Sequence, residues 1–238
     1  MDDIRGVLFA AGRGKRLRPL TDTIPKPALP VAGTPLAAWA LLTMLHAVPR
    51  VVVNVSHLGE VVESALAPYA PPGSLEFFRE PPEPYGTAGT LRELRDRIRG
   101  PVLTYNSDAI SDLDARGMME FHRRGAAAAT VSGIETDDAA DLQLQGDRAV
   151  RLIDRRTASA PGVLFSGMAV LEAEALNAIP SGPQGLTEAV FSPLIEAGEL
   201  AVYVHDGYFM DVGTPERYDQ AIKDVRAGRA PAPPQASS

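Results

Sequence analysis

A chain of 238 residues, 45% of them hydrophobic, can bury one sizeable core, and α/β domains of this size commonly remain a single unit. The absence of cysteine excludes disulfides and thiolate metal sites, leaving oxygen donors or the four histidines for any metal. A net charge of -7 gives no electrostatic footprint for wrapping nucleic acid, so a mononucleotide is the better-matched partner. No apolar run reaches the roughly 18 residues of a membrane span. The N-terminus runs straight into a strand instead of forming a signal segment, so a cytoplasmic location without membrane contact is expected.

Ile4 to Ala10 has the length and the Val/Leu/Phe content of a strand covered on both faces. It ends in Ala11-Gly12-Arg13-Gly14, where small residues let backbone N–H groups turn toward an anion. Lys15, Arg16, Arg18 and Lys26 then put four positive charges within twelve residues of an acidic chain. Pro19, Pro25, Pro27 and Pro30 stiffen the backbone that presents Lys26. The stretch reads as a phosphate cradle, with a solvated turn as the plainer alternative. A dinucleotide fingerprint fails at Leu17, where a third glycine is needed, and an NAD-dependent dehydrogenase is disfavoured with it. A Walker A loop lacks its glycine spacing and its Lys-Ser/Thr pair.

Thr34-Pro35 reads as a capped helix start, with the helix running to about Val48 and Trp39 in its core. Val51 to Val55 is a buried strand with Asn54, Ser56 and His57 at its end. A helix from Leu58 to about Tyr69 and a strand from Leu75 to Phe78 follow. The proline-rich Arg79–Tyr85 crossing empties into Gly86-Thr87-Ala88-Gly89-Thr90, which suits a helix cap or a purine resting on small residues. A strand from Pro101 to Tyr105 ends in Asn106-Ser107-Asp108. Ligands of open α/β sheets collect beyond the carboxyl ends of strands, so Asp108 is expected to face the Gly12 loop as a metal ligand. Asp112 is expected to cap a helix from Leu113 to Arg124.

Strands are expected over 126–133, 141–145, 148–153 and 163–171, with a hairpin at Gln145-Gly146-Asp147. A helix from Leu186 to Ala197, capped near Thr187, and a strand from Ala201 to His205 complete the pattern. Asp211 lies between apolar residues at a strand end, where an unpaired carboxylate is costly unless it meets a cation. It is the second expected metal ligand, with a structural cap of the last helix as its alternative role. That helix starts at Thr214-Pro215 and runs to about Ala227. Residues 1–227 are expected to form one domain, and the Ala/Pro/Ser-rich 228–238 a disordered tail.

AAGRGKRLRPLT followed by PKPALPVAGTPL resembles the sugar-1-phosphate nucleotidyltransferase family, which carries a Gly-x-Gly-x-Arg-Leu-x-Pro-Leu-Thr loop and a Pro-Lys-Pro element at this separation. The resemblance implies a Rossmann-like three-layer α/β sandwich with a mixed, mostly parallel central sheet, the nucleotide-diphospho-sugar transferase fold. It also implies an enzyme that joins a nucleoside triphosphate to a sugar 1-phosphate with Mg²⁺, or Mn²⁺ in its place, and releases pyrophosphate. On that resemblance Arg16, Lys26, Asp108 and Asp211 are catalytic, and Asp108 and Asp211 hold the metal. The nucleotide contacts are Ala10, Ala11, Gly12, Arg13, Gly14, Lys15, Arg16, Lys26, Glu80, Gly86, Thr87, Ala88 and Asn106.

Where the family typically has Glu-Lys-Pro, this chain has Asp154-Arg155-Arg156, so Asp154 and Arg155 take the sugar and phosphate contacts. Ser166-Gly167 resembles the sugar-pocket strand. Ser107 stands where the family usually has Gly. The Gly-Thr-Ala-Gly turn is similar to that of mannose-1-phosphate guanylyltransferases, which implies GTP and a mannose or heptose 1-phosphate. The short chain and VNVSHLGEVV resemble the uridylyltransferases that act on N-acetylmuramate 1-phosphate. A non-catalytic nucleotide-binding regulatory homologue is the rival from another class. A homodimer is compatible with either.

Overall fold

The computed structural model describes residues 3–137, 139–154 and 160–232. In chain order, β1 (Gly6–Phe9), β2 (Pro30–Val31), β3 (Thr34–Pro35), α1 (Leu36–Leu45), β4 (Val51–Val55), α2 (Gly59–Leu66) and β5 (Leu75–Arg79) come first. They are followed by α3 (Gly86–Leu94), β6 (Val102–Asn106), β7 (Ala109–Ser111), α4 (Ala115–Arg124), β8 (Ala129–Thr136), β9 (Leu142–Gln145) and β10 (Arg148–Leu152). The last are β11 (Gly162–Leu171), α5 (Ser192–Glu196), β12 (Leu200–Val204), β13 (Phe209–Asp211) and α6 (Pro215–Arg226). No helix among the described residues is long and apolar enough to cross a membrane.

The chain divides into two compact units. The glycine-loop unit comprises Gly6–Pro84, Tyr105–Leu113 and Gly207–Ser238. In it β1 and β4 pair in parallel with Val7 opposite Val52, and β4 pairs in parallel with β5 with Val53 opposite Phe77. Every residue of β1 and β4 is buried, as expected of parallel strands covered on both faces. A second cluster packs Val31, Leu36 and Trp39 against Ile110, Val212 and Ala221, with Tyr218 and Ile222 of α6 around it. Ile110 and Val212 are fully buried, so this cluster anchors the two short strands β7 and β13 from beneath. Arg229, inside the expected tail, donates from Nε and Nη2 to Asp224 Oδ1 at 3.0 and 2.7 Å and holds that carboxyl below its usual range.

The β-ribbon unit comprises Met1–Arg5, Tyr85–Thr104 and Asp114–Asp206. Its β8 pairs antiparallel with β11 and parallel with β12, and β9 and β10 form a hairpin about Gly146, whose φ is 62°. The β8–β11 register breaks between Phe165 and Ala169, where Gly167 has φ 92°. A side chain there would be strained, so glycine is what lets the bulge form.

Four local expectations are corrected. Thr34 does not cap α1; Ala32 and Gly33 have φ 51° and 91°, a tight turn that folds β2 onto β3, and α1 begins only at Leu36 without a side-chain cap. Asp112 does not cap the fourth helix either, because its main chain is held by Tyr208 O and the helix starts later. Asp114 accepts from Gly117 N at 3.0 Å instead. The expected 186–197 helix opens with a π-turn over Thr187–Phe191 before α5, with no side-chain cap at Thr187. The strand expected over 126–133 runs from Ala129 to Thr136, following its pairing with β11 instead of the alanine run.

Candidate functional site

The glycine loop is built from β1 outward. Ala10 donates its backbone N–H to Asn54 Oδ1 at 2.6 Å, and Asn54 Nδ2 donates to Glu80 Oε1 at 2.9 Å. A buried polar chain therefore ties the C-terminal ends of β1, β4 and β5 together, with Asn54 and Glu80 4% and 8% exposed. Glu80 meets Asn54 here, an arrangement that a reading of isolated glutamates does not reveal. Beyond Ala11 the loop carries Gly12, Arg13, Lys15 and Arg16 at the surface, while Leu17 is fully buried and anchors the 3-10 turn Lys15–Leu17. Arg13 Nη2 donates to Pro82 O at 2.7 Å. Gly14 has φ 60°, and a Cβ on it would come within 2.9 Å of Lys26 Cβ. Thr21 Oγ1 donates to Gly14 O at 2.9 Å and fixes the loop's far side.

The two expected metal ligands, 103 positions apart in the sequence, converge through strand register. Asp211 is the Cα partner of Ala109 in the antiparallel β7–β13 pair, and Val212 N donates to Asp108 O at 2.9 Å. Their side chains are 30% and 40% exposed, and each has a cation beside it. Lys26 Nζ donates to Asp108 Oδ2 at 2.6 Å, and Arg217 Nη1 lies 3.5 Å from Asp211 Oδ2 and 3.3 Å from Asp211 O. Arg16 Nη2 is 3.1 Å from where a Cβ on Gly213 would stand, and Asp211 Oδ1 is 3.2 Å from the same point. Burial first, then the Asp108 charge, pushes the Asp211 carboxyl above its usual value, against the pull of Lys26, Arg217 and Arg16.

Two neighbouring carboxylates, Asp108 and Asp211, form a hard-oxygen donor set for a cation, and the ammonium of Lys26 already sits on one of them. That fits Mg²⁺, which takes one or two protein carboxylates and completes its shell with water and phosphate. Among the described residues no group of three or more His, Cys, Asp or Glu side chains could hold a metal. An all-protein cage is therefore absent from those residues. Arg217 is not singled out by the sequence; the Thr214-Pro215 helix start is the signal, since it fixes Arg217 beside Asp211. Ser107 is buried, its N–H donating to Phe9 O at 3.2 Å, and Asn106 ends β6 half-buried.

In the β-ribbon unit Gly86-Thr87-Ala88 forms the first turn of α3. Ala88 N and Gly89 N donate to Gln184 O at 3.0 and 3.4 Å, and Thr87 Oγ1 accepts from Leu186 N at 2.9 Å. A Cβ on Gly86, φ 75°, would collide with Gln184 O. Two of the helix's N-terminal donors, Ala88 N and Gly89 N, are thus met by the chain's own Gln184 carbonyl. Ser166 is fully buried; its Oγ donates to Ser132 Oγ at 2.6 Å and faces His205 Nε2 at 3.1 Å. The hydroxyl is engaged within the strands and Gly167 is buried beside it. Asp154 is exposed, whereas Arg155 lies outside the described residues.

A cationic glycine loop, a lysine and two register-matched carboxylates thus lie within the glycine-loop unit. Residues 5–143 match the family model described as Nucleotidyl transferase, and the chain belongs to that family, the sugar-1-phosphate nucleotidyltransferases. It is 28% identical over 240 residues to a mannose-1-phosphate guanylyltransferase of Mycobacterium tuberculosis, covering 97% of this chain and 67% of that protein. It is 30% identical over 226 residues to an N-acetylmuramate alpha-1-phosphate uridylyltransferase of Neisseria meningitidis, covering 92% of this chain and 96% of that one. The crystal structure of a putative glucose-1-phosphate thymidylyltransferase from Bacillus anthracis superposes with a TM-score of 0.80 at 20% identity, covering 94% of this chain and 95% of that one. The fold is that of the nucleotide-diphospho-sugar transferases.

Proposed function

We propose that this enzyme transfers a nucleotidyl group from a nucleoside triphosphate, GTP in first place, to a mannose- or heptose-type sugar 1-phosphate with Mg²⁺, releasing pyrophosphate. The observation that carries the reading is the β7–β13 register, which sets Asp211 beside Asp108 and both beside Lys26. A phosphate monoester has a second pKa of about 6 and is already anionic near neutral pH, so no side chain is needed as a general base. The obstacle is repulsion between two anions, and the chain's answer is placed positive charge. Backbone N–H groups of Gly12 and Arg13, with Arg16, bind the departing pyrophosphate. Lys26 turns from Asp108 to the α-phosphate oxygens, where charge builds in the transition state. Asp108 and Asp211 hold Mg²⁺, which when bound neutralises phosphate oxygens and aligns the attack.

Glu80 acts through Asn54, keeping the Ala10 N–H in place, instead of reading the base. Thr87 and Ala88 shape the base turn together with the loop at Gln184, and Ser166 supports the sugar strand from behind. Gly-Thr-Ala-Gly and the mycobacterial relative support GTP. A second reading, UTP with N-acetylmuramate 1-phosphate, is supported by the Neisseria relative, which this chain matches over nearly its full length. Pyrophosphate release from a panel of triphosphates against sugar phosphates decides between them. GTP with mannose or heptose 1-phosphate is expected to lead, and preference for UTP with N-acetylmuramate 1-phosphate rejects the first reading.

A further inference from the structure

Both carboxylates meet side-chain cations in the resting chain, but the two contacts differ. Lys26 Nζ lies 2.6 Å from Asp108 Oδ2 with its side chain 12% exposed, whereas Arg217 lies 3.5 Å from Asp211 Oδ2 with its side chain 49% exposed. The lysine is built in. The left-handed Gly14 makes room for its stem, since a Cβ there would come within 2.9 Å of Lys26 Cβ, and the lysine follows Pro25 and precedes Pro27. The arginine is held by its first helical turn, where Arg217 N donates to Thr214 Oγ1 at 3.4 Å. It also bonds a backbone carbonyl, which leaves it less committed to the carboxylate.

We propose that Lys26 masks Asp108 against free divalent ions, so that the carboxylate pair opens to metal only when a polyphosphate anion draws the ammonium away. The proposal rests on the reading of Asp108 and Asp211 as metal ligands. An ammonium at hydrogen-bonding distance covers the oxygen that Mg²⁺ must approach to about 2.0–2.1 Å, and the two cations repel each other at that range. Displacing Lys26 without a new anion leaves a mostly buried ammonium unpaired, which is unfavourable. The triphosphate removes that penalty, because its oxygens offer the ammonium a partner. Metal and polyphosphate are then coupled, each tightening the other by the same factor. The lysine so acquires a resting-state task besides the transition-state one, and the enzyme is kept from filling with metal when no nucleotide is present.

The test is direct titration of nucleotide-free protein with Mn²⁺, reading the free-ion electron paramagnetic resonance signal, with folding checked by thermal melting. Lys26→Met is expected to tighten Mn²⁺ binding about tenfold or more over the wild type. Lys26→Gln, which keeps a polar side chain, should show the same direction and serves if the methionine variant does not fold. Adding Asp108→Asn to Lys26→Met should abolish the gain. Arg217→Gln should change the affinity less than Lys26→Met does. An equal gain in Arg217→Gln overturns the proposal, because bulk charge then explains it. Unchanged affinity on removing Lys26, while Asp108→Asn still weakens Mn²⁺ binding, overturns the mask and leaves the metal site standing. Absence of Mn²⁺ binding in every variant overturns both.

Discussion

Two strand pairs in this chain bring distant polar residues together, and they use them in opposite ways. β7 and β13 place Asp108 beside Asp211, charged, 30% and 40% exposed at their side chains, with cations at contact distance. β8 and β11 place Ser132 and Ser166, neutral and fully buried, in a closed chain with His205 and the backbone of Met168. Neutral hydroxyls can be sealed inside because each finds partners that stay put. Carboxylates sealed in the same way would carry a large desolvation penalty, so they remain near water with counter-cations that can be exchanged. The first pair stays partly exposed beside cations, and the second is closed off from water.

The largest effect that separates the two comes from neutralising the charged pair. Asp108→Asn or Asp211→Asn is expected to lower turnover by about 10³-fold or more with the fold intact, measured by pyrophosphate release and circular dichroism. Near-normal rates in both variants would remove the distinction. The floor beneath the pair can be broken separately. Trp39→Ala hollows the cluster that holds Ile110 and Val212 and should cost about 3–5 kcal/mol in chemical denaturation. A cost under about 1 kcal/mol would mean that the cluster does not anchor the strands.

A third, smaller effect sharpens the comparison through pH. Because burial and the Asp108 charge raise the Asp211 carboxyl above 3.8, the folded chain holds that proton more tightly than the unfolded chain does. The ionised group therefore subtracts stability above its folded pKa, and the loss is recovered as pH falls through that value toward 3.8. Asp211→Asn should melt at a higher temperature than the wild type at pH 7, with the gap closing as pH approaches 3.8. A variant less stable at pH 7 contradicts this. In the neutral pair the effect on chemistry should be smallest. Ser166→Ala is expected to cost about 1–2 kcal/mol of stability while leaving KM for the sugar phosphate within a few fold. A large rise in KM without loss of stability would give Ser166 a direct contact instead.

Much of the glycine-loop unit is legible in the sequence because its signals are local. The Val51–Val55 run, the Gly12-Arg13-Gly14 turn and Lys26 between two prolines each declare themselves within a few residues. Asp108 and Asp211 are legible one at a time, from a carboxylate at a strand end. Other features depend on partners far along the chain. Arg217 looks like any exposed helix residue until the β13–α6 turn sets it against Asp211. The Gly86 turn reads as an open helix start, and only the distant Gln184 carbonyl shows that two of its donors, Ala88 N and Gly89 N, are taken. Thr34 fails as a cap because the Ala32-Gly33 turn competes with helix capping, and Asp112 because an equally good cap, Asp114, stands two residues on.

On the proposed function, two carboxylates joined by the β7–β13 register hold one divalent ion while a triphosphate occupies the glycine loop. The most direct measurement is a crystal structure with Mn²⁺ and a non-hydrolysable triphosphate, read by anomalous scattering. A single strong manganese peak bonded to Asp108 and Asp211 and to phosphate oxygen is expected, with Lys26 moved off Asp108 onto the nucleotide. Manganese bound elsewhere, or a nucleotide complex in which Lys26 still sits on Asp108 and the carboxylates take no ion, would contradict it.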